Sequence, residues 1–117
     1  MNENKTFSVI IPLYNKAKYI CKSIDSVLKQ SFDDFEIIVV DDGSTDESKS
    51  IVQNNYGQLD TISIVSQANA GPAAARNTGV KCATGNWILF LDADDLLLPD
   101  ALSIFNSLIK KNEGIDY

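Results

Sequence analysis

At 117 residues, with 44% hydrophobic and 22% charged side chains, the chain has the make-up of one globular domain enclosing a single core. That composition excludes disorder, collagen and coiled coil. A formal net charge of −6 argues against a long nucleic acid as partner, because phosphates reward a basic face, but leaves room for a single nucleotide held through a divalent cation.

Residues 7–12 form a short β-rich run closed by Pro12. Ile20, Ile24, Val27 and Leu28 then recur at helical spacing, one stripe of an amphipathic helix. Residues 35–40 are apolar apart from Glu36, the pattern of a strand covered on both faces. Ser44 followed by Glu47 has the spacing of a capping box and predicts a helix from there to about Asn54. A third strand is expected over 59–65. Gly71-Pro72 opens an alanine-rich helix with proline at its first position, and Gly85 lies just past its end. Residues 87–91 read as a fourth strand. A last helix starts near Pro99, with Leu102, Phe105 and Ile109 on its inner face. Residues 114–117 read as a helix stop and the opening of another strand, so the domain is expected to continue past Tyr117.

Strict strand–helix alternation, with connections long enough for helical crossovers, predicts an α/β fold: a Rossmann-like parallel sheet with helices on both faces. Right-handed crossovers then gather the C-terminal strand ends on one edge, where such sheets bind ligands. The order 3-2-1-4 brings the loops after strands one, two and four together. An interrupted sheet leaves an apolar edge or helix face, which is expected to seek a partner, a second copy of the chain included.

The chain has no histidine, which excludes His-dependent catalysis and His-ligated zinc. Cys21 and Cys82 form no CxxC pair and read as reduced, partly buried thiols of a cytoplasmic protein. No apolar run reaches the ~18 residues of a membrane span, and residues 1–6 lack a signal-peptide core. Neither GxGxxG nor GxxxxGK[ST] is present, and no EF-hand loop fits the acidic clusters.

Asp92, Asp94 and Asp95 place three carboxylates within four residues at the mouth of a buried strand. They are either hard ligands for Mn²⁺ or Mg²⁺, with substrate phosphates completing the shell, or solvated loop acids and a helix cap. Asp42 either accepts hydrogen bonds from a base or ribose, or belongs to an ordinary turn ahead of a cap at Ser44. Tyr14 either stacks on a flat base above a loop stiffened by Pro12, or covers the edge of the core. Arg76 meets either a nucleobase or phosphate, or a surface acid.

In order and spacing, SVIIPLYN at 8–15, IVVDDGSTD at 38–46, ARN at 75–77 with Gly79, and WILFLDADD at 87–95 resemble the N-terminal half of family 2 glycosyltransferases of GT-A fold. The match covers about residues 7–105. The resemblance makes residues 1–117 the nucleotide-sugar-binding part of such a domain. It places Pro12 and Tyr14 around the base and Asp42 on uracil or another base, with Arg76 assisting. Asp92, Ala93 and Asp94 stand as the DxD motif: Asp92 near the ribose and the metal, Asp94 on the metal. It further implies inverting transfer from a nucleotide diphosphate donor, UDP by preference, to a carbohydrate or lipid-linked acceptor in cell-surface polysaccharide synthesis. The work would take place in the cytoplasm or at the inner face of the membrane. The acceptor-side base comes from the C-terminal half, beyond Tyr117, so the isolated chain is expected to bind donor without transferring sugar. Two other readings are a non-catalytic nucleotide-binding fragment and a phosphoacceptor receiver domain. The second lacks an aspartate after the third strand, at 65–69.

Overall fold

In the computed structural model, which describes residues 5–112, strands and helices alternate throughout. They are β1 (Phe7–Leu13), α1 (Ile20–Leu28), β2 (Phe35–Asp42), α2 (Ser48–Tyr56), β3 (Ile62–Gln67), α3 (Pro72–Cys82), β4 (Trp87–Phe90) and α4 (Ala101–Lys111). All pairings are parallel and the order is β3-β2-β1-β4, as expected. A receiver domain follows the other doubly wound order, in which strand one lies between strands two and three, so that alternative falls.

Side-chain alternation explains why β1 and β2 are apolar almost without interruption. Val9, Ile11, Ile37 and Val39 face α1, α2 and α4 through Ile24, Val27, Val52 and Leu102. Ile10, Ile38 and Val40 face α3 through Ala75. The small side chains of α3 permit a close approach: a Cβ added at Gly79 would collide with Cγ2 of Ile10.

Several boundaries differ from expectation. β2 runs two residues further than predicted, because Asp41 and Asp42 still pair with Ser66 and Gln67 of β3. The capping box does not form, and α2 begins at Ser48 instead of Ser44. Ser44 is drawn away by another loop, its Oγ accepting the Asn15 N–H at 3.0 Å, while Asp46 Oδ1 takes the Ser48 N–H at 2.9 Å. β3 starts three residues late because a turn after α2 consumes Leu59, which is exposed. Phe105 is exposed and not on the inner face of α4, where Leu102 is buried and Ile109 packs. Cys82 is exposed, so only Cys21 is a partly buried thiol. The strand expected at 114–117 lies outside the described residues.

Candidate functional site

Beyond the C-terminal ends of the strands lies an open cleft of about 410 Å³. Pro12, Tyr14 and Asp42 line it together with Asp92 and Ala93 from across β1. Arg76 and Asp94 stand at its rim, outside the lining, and reach it through ion pairs described below.

The loop after β1 is fastened to the loop after β2. Asn15 adopts φ 51°, the left-handed region that asparagine tolerates better than most residues. In that conformation its Oδ1 accepts the Thr45 and Asp46 N–H groups at 2.8 and 3.2 Å. The Lys16 N–H donates to the buried Ser48 Oγ at 3.0 Å. Tyr14 is thereby held at the cleft mouth with its side chain about half exposed.

Asp42 is only 3% exposed, and its carboxylate is fully engaged by its own chain. Oδ1 accepts Gln67 Nε2 at 2.9 Å and the Ala70 N–H at 2.8 Å; Oδ2 accepts the Gly71 N–H at 3.0 Å and Asn69 Nδ2 at 3.2 Å. Burial pushes this carboxyl upward, but the Gln67 side chain and the two backbone N–H groups outweigh it. They hold Asp42 below the usual carboxylate range, charged at neutral pH. Asp42 thus ties the β3–α3 turn to β2. Asp41, on the opposite face of the strand, is buried, and its Oδ1 has no partner among the described residues.

The acidic loop after β4 is anchored by α1. The Ser23 hydroxyl, fully buried, directs its proton between the Ala93 and Asp95 carbonyls at 2.7 and 2.5 Å. Ser26 Oγ accepts the Leu97 N–H at 2.9 Å, and Gln30 bonds both Leu98 O and Leu102 N. Sequence reasoning missed this row; its only signal was polar residues at helical spacing beside the apolar stripe of α1. Asn15, Lys16 and Asn69 were likewise not singled out.

Held in this way, Asp92, Asp94 and Asp95 all face solvent, and a carboxylate oxygen from each lies within 4.8 Å of the others. Two cations lean on them: Arg76 Nη2 is 3.6 Å from Asp92 Oδ1, and Lys16 Nζ is 3.6 Å from Asp94 Oδ2. Asp92 is thus a surface acid within reach of Arg76. An all-carboxylate, solvent-open donor set with room for further oxygen ligands fits Mn²⁺ or Mg²⁺ and no soft metal.

The profile described as Glycosyl transferase family 2 matches residues 8–115, nearly the whole chain. The chain belongs to glycosyltransferase family 2. Among curated relatives, chondroitin synthase of Escherichia coli is 41% identical over 97 residues, which is 83% of this chain and 14% of that protein. Glycosyltransferase GlyA of Streptococcus pneumoniae is 43% identical over 94 residues, 80% of this chain and 13% of that one. Among solved structures, S. aureus TarS 1–349 in complex with UDP-GlcNAc superimposes with a TM-score of 0.86 at 37% identity, covering 92% of this chain and 32% of that one. The mannosyltransferase PcManGT from Pyrobaculum calidifontis, in complex with GDP-Man and Mn²⁺, gives a TM-score of 0.77 at 32% identity, covering 91% of this chain and 32% of that one. The family 2 chain described here therefore spans about a third or less of the length of these relatives. Its fold is that of the GT-A glycosyltransferases, and no helix among the described residues is long and apolar enough to cross a membrane.

Proposed function

We propose that residues 1–117 are the donor-binding part of a GT-A domain that transfers a sugar, with inversion, from a nucleotide diphosphate donor to an acceptor hydroxyl. UDP is the preferred nucleotide, and the acceptor is a carbohydrate or lipid-linked chain of a cell-surface polysaccharide. The reading rests above all on one observation: a single cleft has Pro12, Tyr14 and Asp42 on one side and Asp92 on the other. A nucleobase is flat and apolar on its faces, and the exposed Tyr14 ring offers a matching surface. Asp42 shapes the base pocket by holding the Ala70–Gly71 turn, and a base N–H reaches its carboxylate by displacing the longest of its four bonds, from Asn69. Arg76 lies beside the same turn, at the start of α3, within reach of a base carbonyl or a phosphate.

Asp94, with Asp92, would hold Mn²⁺ or Mg²⁺. A divalent cation there supplies compensation for the charge that builds on the leaving diphosphate. The chain's own part is to bind the donor and orient it, with Ser23 keeping the acidic loop in place. The base that deprotonates the acceptor is assigned to chain beyond Tyr117, so this segment binds donor without completing transfer, in the cytoplasm or at the inner face of the membrane.

Calorimetric titration of UDP into the chain with Mn²⁺ and with a chelator tests the reading. Binding is expected to be much tighter with the metal, and Asp94→Asn is expected to remove most of the difference. Equal affinity in the two conditions would overturn the metal bridge, and preference for GDP would overturn the choice of nucleotide.

A further inference from the structure

We propose that Lys16 is a built-in stand-in for the metal: its ammonium neutralises Asp94 when no cation is bound, competes with the divalent cation, and on release pairs with the donor's phosphates. The inference rests on the reading of the cleft as a nucleoside diphosphate site, and deepens it by assigning a residue to the diphosphate.

Three observations carry it. First, the root of Lys16 is fixed while its tip is free. Its N–H is tied to Ser48 Oγ, and its neighbours Asn15 and Ala17 are tied to the loop after β2, yet the side chain is about two-fifths exposed. Second, the Lys16 Nζ–Asp94 Oδ2 separation is 3.6 Å, beyond hydrogen-bond length, so the pair is held by charge alone and is readily exchanged. Third, Lys16 lines the cleft shared by Asp42 and Asp92, so the residue paired with Asp94 also borders the space a donor would occupy.

The charge balance gives the exchange its direction. Lys16 and Arg76 face three acids, leaving the rim with one surplus negative charge. A divalent cation added to that arrangement makes the rim positive, and the ammonium is then repelled from the carboxylate it had neutralised. A diphosphate brings negative charge into the same space and takes up the freed ammonium, whose compact point charge and three donors suit phosphate oxygens. Metal and Lys16 are rivals before the donor arrives and allies after it.

Lys16→Met keeps the length of the side chain and removes its charge. Mn²⁺ alone, followed by the free-ion EPR signal, is expected to bind this variant about two- to fivefold more tightly than the parent, the range for losing an exposed competing ion pair. UDP at saturating Mn²⁺ is expected to bind about tenfold more weakly, the loss of one charge-assisted hydrogen bond. Lys16→Arg, which retains the charge, is expected to stay near the parent in both measurements. The opposite signs set this role apart from a packing role of the lysine stem, which would weaken both affinities together. Unchanged or weaker Mn²⁺ binding by Lys16→Met, or unchanged UDP binding, overturns the inference while leaving donor binding intact. Failure of the unmutated chain to bind UDP with Mn²⁺ overturns the donor reading itself, and the diphosphate role of Lys16 with it.

Discussion

Replacing Asp42 with alanine tests whether one carboxylate holds the wall of the cleft. The native group is nearly inaccessible and accepts four hydrogen bonds, two of them from the backbone of Ala70 and Gly71. A hydrogen bond to a charged partner contributes about 1.5–3 kcal/mol, but four sharing one acceptor do not add, and water can reach donors that border an open cleft. A net loss of about 2–4 kcal/mol follows, a large share of the ~5–15 kcal/mol that keeps a domain folded. At about 4 °C per kcal/mol for a chain of this size, the melting temperature should fall by about 8–16 °C. Urea unfolding followed by circular dichroism at pH 7 reads the loss directly, provided the slope is unchanged from the parent. Asp42→Asn should cost nearly as much, because its amide would face two donors with a third. A loss below about 1 kcal/mol in Asp42→Ala would refute the keystone role and return Asp42 to a residue that faces ligand alone.

Stability should also depend on acid. Asp42 and Glu36 both have folded-state pKa values held below the ordinary carboxylate value, so their contribution is present above that value and disappears as pH falls through the depressed ones. The urea midpoint should be flat near neutrality and decline below about pH 4.5, and the deficit of Asp42→Ala should shrink along that decline; a constant deficit would count against the linkage. Gly79→Ala should lose about 1–3 kcal/mol, since the new methyl meets Ile10, and a thermal melt matching the parent would show that α3 can retreat. Trp87, Ile88 and Phe90 are exposed on the edge strand β4, beside exposed Phe105 and Leu108 of α4. The 117-residue chain should therefore self-associate at micromolar concentration, and Phe90→Lys should reduce this; sedimentation velocity showing a monomer throughout would exclude it.

The topology was legible because it follows from periodicity: apolar β runs separated by helical stripes leave few arrangements, and β1 and β2 have the continuous apolar character of strands covered on both sides. The loops of the cleft were legible from their chemistry, since carboxylates at strand ends have little structural reason to gather. What lay hidden were contacts between loops far apart in sequence. Ser44 has the local pattern of a cap, but Asn15, 29 residues earlier, takes its side chain for another purpose. Asp42 could be read as ligand-facing or as part of an adjacent turn, and neither reading pointed to the turn 28 residues downstream that its carboxylate organises. Ser23 and Gln30, which no local pattern singles out, are both buried and bond to the segment after β4. Local propensity carries no information about such partners, because the competing donor or acceptor belongs to another element.

The interior position of β1 bears on how the protein is made. Of these four strands β1 leaves the ribosome first, and β2 can join it soon after, but its other neighbour, β4, begins only at Trp87. The bond from the Gly85 N–H to Ser8 Oγ, which closes that side, spans 77 residues. At ~5–20 residues per second, one edge of a largely apolar strand waits several seconds for its partner. Throughout that interval the nascent chain presents a sheet edge open to pairing with a neighbouring chain, so crowded translation should favour aggregation and chaperones that shield early strands should raise the yield. The cleft exists only once that wait is over, because Asp92 and Ala93 arrive with the strand that closes the edge.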